Sequence, residues 1–123
     1  MSLSRLYTDP EIYNDINEPV YYLLDKQVRC KYISITDDNN KKYFYIFDVI
    51  YKNSTKTVIL IGKCFYKSYE DTLSFNWESE SYIRVKIDEY DDFKFNIITK
   101  DEYNNIMISY LDEAKKILID PLP

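Results

Sequence analysis

The chain lacks the residue types on which many catalytic sites depend. It contains no histidine, which excludes histidine-based triads, histidine acid–base catalysis and the usual catalytic zinc sites. Its one glycine excludes the glycine-rich loops that hold nucleotide phosphates. Two cysteines in 123 residues do not form a disulfide framework. No cofactor, metal site or catalytic residue is predicted, and we expect a protein that is not an enzyme.

Signals for membranes and nucleic acids are also missing. No apolar run approaches the ~20 residues of a membrane helix, and residues 1–15 lack the basic-then-apolar pattern of a signal peptide. The formal net charge is −5, and an acidic chain repels a phosphate backbone at long range. We therefore expect a soluble, cytoplasmic protein, with no membrane association and with nucleic acid unfavoured as a partner.

What the chain does contain indicates one folded domain spanning residues 1–123. Apolar residues make up 46% of it and aromatic residues 17%, which is enough for a substantial core. Ile, Lys, Asn, Tyr and Phe account for 58 residues, and all five have AT-rich codons. This bias indicates an AT-rich genome, such as that of a virus, a phage or a mobile element.

Periodicity predicts an α+β fold with a curved, mainly antiparallel sheet of five or six strands, either open or partly closed into a small barrel. Thr8, Asp9 and Pro10 predict a short N-terminal helix over residues 10–17, and the state of residues 20–25 is left open. Strands are predicted over residues 28–36, 41–52 and 55–66, joined by tight turns as antiparallel hairpins. Strict alternation would keep all the odd-numbered residues from Tyr43 to Tyr51 on one face.

The second half predicts three more strands and a helix. Residues 72–77, 81–88 and 92–98 alternate, and a tight loop at 89–91 would pair Ile87 with Phe93. Thr99 and Glu102 form a capping box that opens a C-terminal helix reaching Ile119. Apolar residues that recur every three or four positions lie on one face of a helix, and they predict the contacts with the sheet: Ile106, Tyr110, Ala114 and Ile117.

Four residues in the predicted strands have structural interpretations. Cys30 and Cys64 are expected to be buried free thiols, because two strand spacings separate them. Asp48, an acid within an apolar strand, is expected to form an ion pair with Arg29 or Lys31, and a catalytic carboxylate is the alternative. Gly62 lies in mid-strand, which indicates a bulge or the close approach of a neighbouring side chain, that of Tyr45.

The surface signals favour a binding function. The chain has 14 tyrosines, more than one small core needs, and tyrosine is enriched at interfaces. We predict a non-enzymatic binding protein, an accessory protein that modulates a host macromolecule, with self-association as a second mode. The alternative is a module that binds single-stranded nucleic acid through lysines and stacking aromatics. The predicted partner-binding residues are acidic loop residues and two aromatic anchors: Asp88, Glu89, Tyr90, Asp91, Asp92 and Trp77.

Overall fold

The computed structural model describes residues 17–37, 40–69 and 73–119, and it confirms the α+β class. Five antiparallel strands form one open sheet in the order β4-β3-β2-β1-β5, so the described strands do not close into a barrel. The predicted helix over residues 10–17 lies outside the described residues except for Asn17. The elements in chain order are α1 (Pro19–Val28), β1 (Lys31–Asp37), β2 (Asn40–Lys52), β3 (Thr57–Tyr69), β4 (Leu73–Lys86), a 3₁₀ helix (Ile87–Asp92), β5 (Asn96–Ile98) and α2 (Lys100–Ile119).

The undecided segment after residue 19 is helix α1. Pro19 occupies the first turn, where its missing N–H costs nothing, and the Glu18 carboxylate accepts the Val20 N–H at 2.8 Å. Leu24 and Val28 are one turn apart and fully buried. The prediction that a strand begins at residue 28 was wrong. Val28 is the last residue of α1, and β1 begins at Lys31.

The first hairpin has the predicted register, and the second departs from it. Tyr32 pairs with Tyr45, as a four-residue loop requires. Between β2 and β3 the register shifts at Phe47, where β2 carries a bulge. A bulge inserts one extra residue, so the odd-numbered residues of β2 lie on one face of the sheet before it and on the other face after it. The prediction that Tyr43 and Tyr51 share a face was therefore wrong.

Gly62 lies beside this bulge and permits a close backbone approach. It pairs with Ile46, and a Cβ built on it would lie 2.3 Å from the carbonyl oxygen of Tyr45. A close approach does occur at this glycine, but the backbone of the neighbouring strand makes it and not the predicted Tyr45 side chain.

The predicted strand arrangement in the second half was wrong. Residues 73–86 form one continuous strand, β4, with a bulge where Gly62 and Cys64 pair with Ser81 and Glu78. The chain then crosses the sheet and adds β5 beside β1, so Ile97 pairs with Ile33 and not with Ile83. Phe93 and Phe95 pack on the main core during this crossing, and burial of their rings stabilises it.

Helices and the crossing segment cover the two faces of the sheet. The main face holds α1, the crossing segment and the largest buried cluster, to which Ile33, Phe44, Ile46, Val49, Leu60 and Val85 belong. The opposite face, which we call the α2 face, holds an aromatic cluster around Tyr43, Phe65 and Tyr103.

Helix α2 begins at the predicted capping box. Thr99 Oγ1 accepts the Glu102 N–H at 3.0 Å, and Glu102 Oε1 accepts the Thr99 N–H at 3.2 Å. Ile106 and Tyr110 pack in the aromatic cluster as predicted. The other two predicted contacts, Ala114 and Ile117, lie outside the described side chains. Among the described residues, no helix has the length and apolar character that crossing a membrane requires.

Candidate functional site

The acidic residues singled out by the sequence lie on the 3₁₀ helix Ile87–Asp92. A 3₁₀ helix repeats every three residues, and the apolar residues here recur at that spacing. Ile87, Tyr90 and Phe93 are half-buried against the main core. The carboxylates between them are exposed: Asp88, Glu89, Asp91 and Asp92. We call this group the acidic ridge.

The 3₁₀ helix is tied to the body of the protein at two points, and a third hydrogen bond is local. The Tyr90 hydroxyl donates to Gln27 Oε1 of α1 at 3.4 Å. The Ile87 N–H donates to the Lys56 carbonyl at 3.1 Å, and the Lys94 ammonium donates to the Asp91 carbonyl at 2.9 Å. The ion pairs within the described chain involve none of the four ridge carboxylates. The four carboxylates are therefore exposed on a packed base and form no ion pair among the described residues, while Arg84 lines a small cavity together with Glu89 and Asp92.

Trp77, the second predicted anchor, lies far from the ridge. It is 46% exposed and pairs with Phe65, on the α2 face. Lys86, which precedes the ridge, lies nine positions further along β4, about 30 Å at ~3.3 Å per residue. Tyr90 contributes mainly to the core and Trp77 to another surface, so the structure brings together the acidic residues and Tyr90 but not Trp77.

A cleft beside the ridge was not predicted. Its volume is about 440 Å³, within the range of small-molecule sites. The floor is apolar, from Phe44, Ile83 and Phe93, and the rim carries Lys42 and Lys94. These residues come from separate strands and the crossing segment. No local sequence pattern could have grouped them.

Asp48 forms the predicted ion pair with Arg29. The guanidinium Nη1 donates to Asp48 Oδ1 at 2.9 Å, and Nη2 donates to the Val49 carbonyl at 3.1 Å. The Val49 N–H also donates to Asp48 Oδ1, at 2.9 Å. Lys31, the other predicted partner, pairs in register with Ile46. Asp48 is fully buried beside the bulge, and these bonds hold the bulged backbone in place.

Arg29 also binds a second carboxylate. Its Nε donates to Asp25 Oδ1 at 2.6 Å, one helical turn away. Burial opposes the charge on Arg29, but hydrogen bonds to both carboxylates outweigh it and raise the arginine pKa. The arrangement explains the acid within the apolar strand as a structural ion pair.

Neither cysteine is in a disulfide, and one prediction about them needs correction. Cys64 is buried, but Cys30 is exposed, because the chain turns there between α1 and β1 with a φ of 59°. Within the described residues, no three His, Cys, Asp or Glu side chains are grouped to hold a metal ion.

Most described tyrosines are half-buried, and three of them, Tyr43, Tyr51 and Tyr103, are buried. Of the eleven whose side chains are described, only Tyr22 and Tyr82 are exposed. Tyr43 stacks on Phe65 at 5.1 Å, and burial raises the pKa of Tyr43 to about 12. Burial also raises the pKa of Tyr103, whose hydroxyl has no hydrogen-bond partner within the described residues.

Comparisons with protein-family profiles, with curated proteins and with solved structures find no match for the chain.

Proposed function

We propose that this protein acts by binding a basic protein surface through the acidic ridge of Asp88, Glu89, Asp91 and Asp92. The observation that carries the proposal is that these four exposed carboxylates lie on one six-residue 3₁₀ helix and form no ion pair among the described residues. Like charges held this close are unfavourable in the free protein, and a cationic partner relieves that repulsion.

The way the ridge is held also supports a binding role. Its apolar side packs on the main core and Tyr90 is hydrogen-bonded to α1, so the charges are fixed in position before a partner arrives. A preorganised surface loses little conformational entropy on binding. In the biological setting that the codon bias indicates, the partner would be a host macromolecule, and this chain an accessory protein that modulates it.

A charge-reversal comparison tests the proposal, with a lysine- and arginine-rich peptide as the probe. Asp88→Lys combined with Asp91→Lys should slow association and weaken its salt dependence, because exposed charges act over about 8–10 Å at ordinary ionic strength. The matched control reverses two exposed acids of α2, Asp101→Lys and Asp112→Lys, and gives the same net charge. The melting temperature should change little in either pair.

Equal loss of binding in the two variants would mean that only net charge matters, and the ridge proposal would be wrong. An oligothymidine provides the second probe. Tight, salt-sensitive binding of that strand by the wild type would support the nucleic-acid alternative instead. Two lysines already contact tyrosine rings within the protein: Lys42 Nζ lies 4.6 Å from the Tyr66 ring centroid, and Lys67 Nζ lies 4.2 Å from that of Tyr110. A base that stacked on either ring would have to displace the lysine.

A further inference from the structure

Strand β4 is a long edge strand. It pairs with β3 along its length, and no other described strand lies beside it. Such an edge presents unpaired N–H and C=O groups to which another strand can be added. Its side chains from Trp77 to Glu80 are exposed, as are those of Tyr82, Arg84 and Lys86.

The charges along β4 reverse sign about Tyr82. Glu78 and Glu80 precede it, and Arg84 and Lys86 follow it. If two copies of β4 run antiparallel with Tyr82 opposite Tyr82, each Glu80 lies opposite an Arg84 of the other copy. Opposite charges directly across a strand pair stabilise it, and like charges destabilise it.

The central residues of this pattern already form a row on the α2 face. Tyr82 and Arg84 pair with Ile61 and Ile59 of β3, and the Arg84 guanidinium lies 5.8 Å from the Tyr82 ring centroid. A hydrogen bond from Tyr82 to Glu80 raises the tyrosine pKa. The β4 bulge lies between Glu78 and Ser81 and places Glu78 opposite Cys64, on the main face. Glu78 therefore takes no part in this pattern, and the two Glu80–Arg84 pairs set the register.

We propose that the protein forms a two-fold homodimer by antiparallel pairing of its β4 edges about Tyr82, which joins the two sheets into one. Charged side chains on an edge strand usually prevent association. In a parallel, in-register pair of β4 strands, each charged side chain would face the same charge on the other copy. The antiparallel pair places Glu80 opposite Arg84 instead. The interface is isologous, because each copy contributes the same acidic half and the same basic half. The acidic ridge does not take part in this pairing.

Sedimentation of charge-swap variants tests the dimer. Glu80→Lys alone and Arg84→Glu alone each place like charges opposite each other twice, and each should raise the dimer dissociation constant at least about tenfold. Mixing these two variants restores opposite charges at both positions, as does the double swap within one chain. The dimer should return in both samples.

Controls separate this effect from net charge and from misfolding. Asp112→Lys and Lys26→Glu change the charge by the same amounts on the helices and should leave the dimer intact. Circular dichroism of every variant reports whether the fold persists, and the return of the dimer in the mixture requires folded chains. A wild type that stays monomeric, or a mixture that stays monomeric, would overturn the proposal.

Cross-linking tests the position of the two-fold axis. In a Cys30→Ser background, Tyr82→Cys should form an interchain disulfide on mild oxidation, because residues directly opposite in antiparallel strands have Cα atoms about 4.5–5.5 Å apart. Tyr22→Cys is the matched control, an exposed tyrosine on α1 that should not cross-link. A sample that sediments as a dimer but does not cross-link at position 82 would refute this register.

Discussion

The ion pair between Arg29 and Asp48 predicts that the two partners differ in their importance for stability. Asp48 is fully buried and depends on Arg29 for its counter-charge. Arg29 is 30% exposed and keeps a second partner, Asp25, at 2.6 Å. Arg29→Gln leaves a buried carboxylate without a counter-charge, and such a change costs about 3–5 kcal/mol in the free energy of unfolding.

Asp48→Asn should cost less, about 1–2 kcal/mol in the free energy of unfolding, because two terms oppose each other. At 2.9 Å and an effective dielectric constant of about 20, the attraction is about 6 kcal/mol. Burying the carboxylate costs several kcal/mol, and the asparagine relieves that cost. The Val49 N–H keeps an acceptor in the asparagine oxygen, and Arg29 keeps Asp25 and contact with water.

Urea unfolding of the two single variants and the double variant measures this difference. Once the carboxylate is gone, removing Arg29 should cost little more, so the coupling energy should be about 2–4 kcal/mol. Lys31→Gln is the control and should stay within about 0.5 kcal/mol of wild type. Equal and additive effects of Arg29→Gln and Asp48→Asn would refute the view that this pair compensates a buried charge.

Three further predictions concern packing and the thiols. Ile106→Ala should lower the free energy of unfolding by about 2–3 kcal/mol and exposed Asn105→Ala by less than about 0.5; equal melting temperatures would place α2 outside the core. Cys30 should react with a thiol reagent in the native protein, whereas Cys64 should react only on unfolding, because burial raises its pKa to about 12; fewer than two thiols in the denatured, unreduced chain would contradict this. Gly62→Ala should destabilise by about 1–3 kcal/mol in thermal unfolding, since its Cβ meets a backbone oxygen at 2.3 Å; a rise in stability would disprove that contact.

Local features were predictable where neighbouring residues alone decide the structure. The capping box at Thr99 and Glu102 needs only a spacing of three residues, and the first hairpin register needs only a four-residue turn. The ion pair of Asp48 with Arg29 followed from an isolated acid in an apolar strand and a nearby base. In each case the partners are close in sequence or joined by one tight connection.

The sequence identified the four residues of the acidic ridge but placed them in a hairpin loop and not on a 3₁₀ helix. An apolar residue at every third position fits a 3₁₀ helix, yet the flanking alternation favoured a hairpin loop. Local propensity could not decide between them. The choice depended on whether Phe93 could reach the main core, and that requires the whole sheet.

Tertiary structure alone decided the remaining features. The bulge at Phe47 depends on β3 approaching β2 closely at Gly62, and it moves Tyr43 to the face opposite Tyr51. The pairing of β5 with β1 depends on where the crossing segment brings the chain, because the four strands β1 to β4 leave an edge at β1 and another at β4. The sequence shows two acidic residues before Tyr82 and two basic residues after it. This order suggests strand pairing only because the structure makes residues 73–86 one continuous edge strand. Burial and edge availability are properties of the assembled sheet, so no local pattern encodes them.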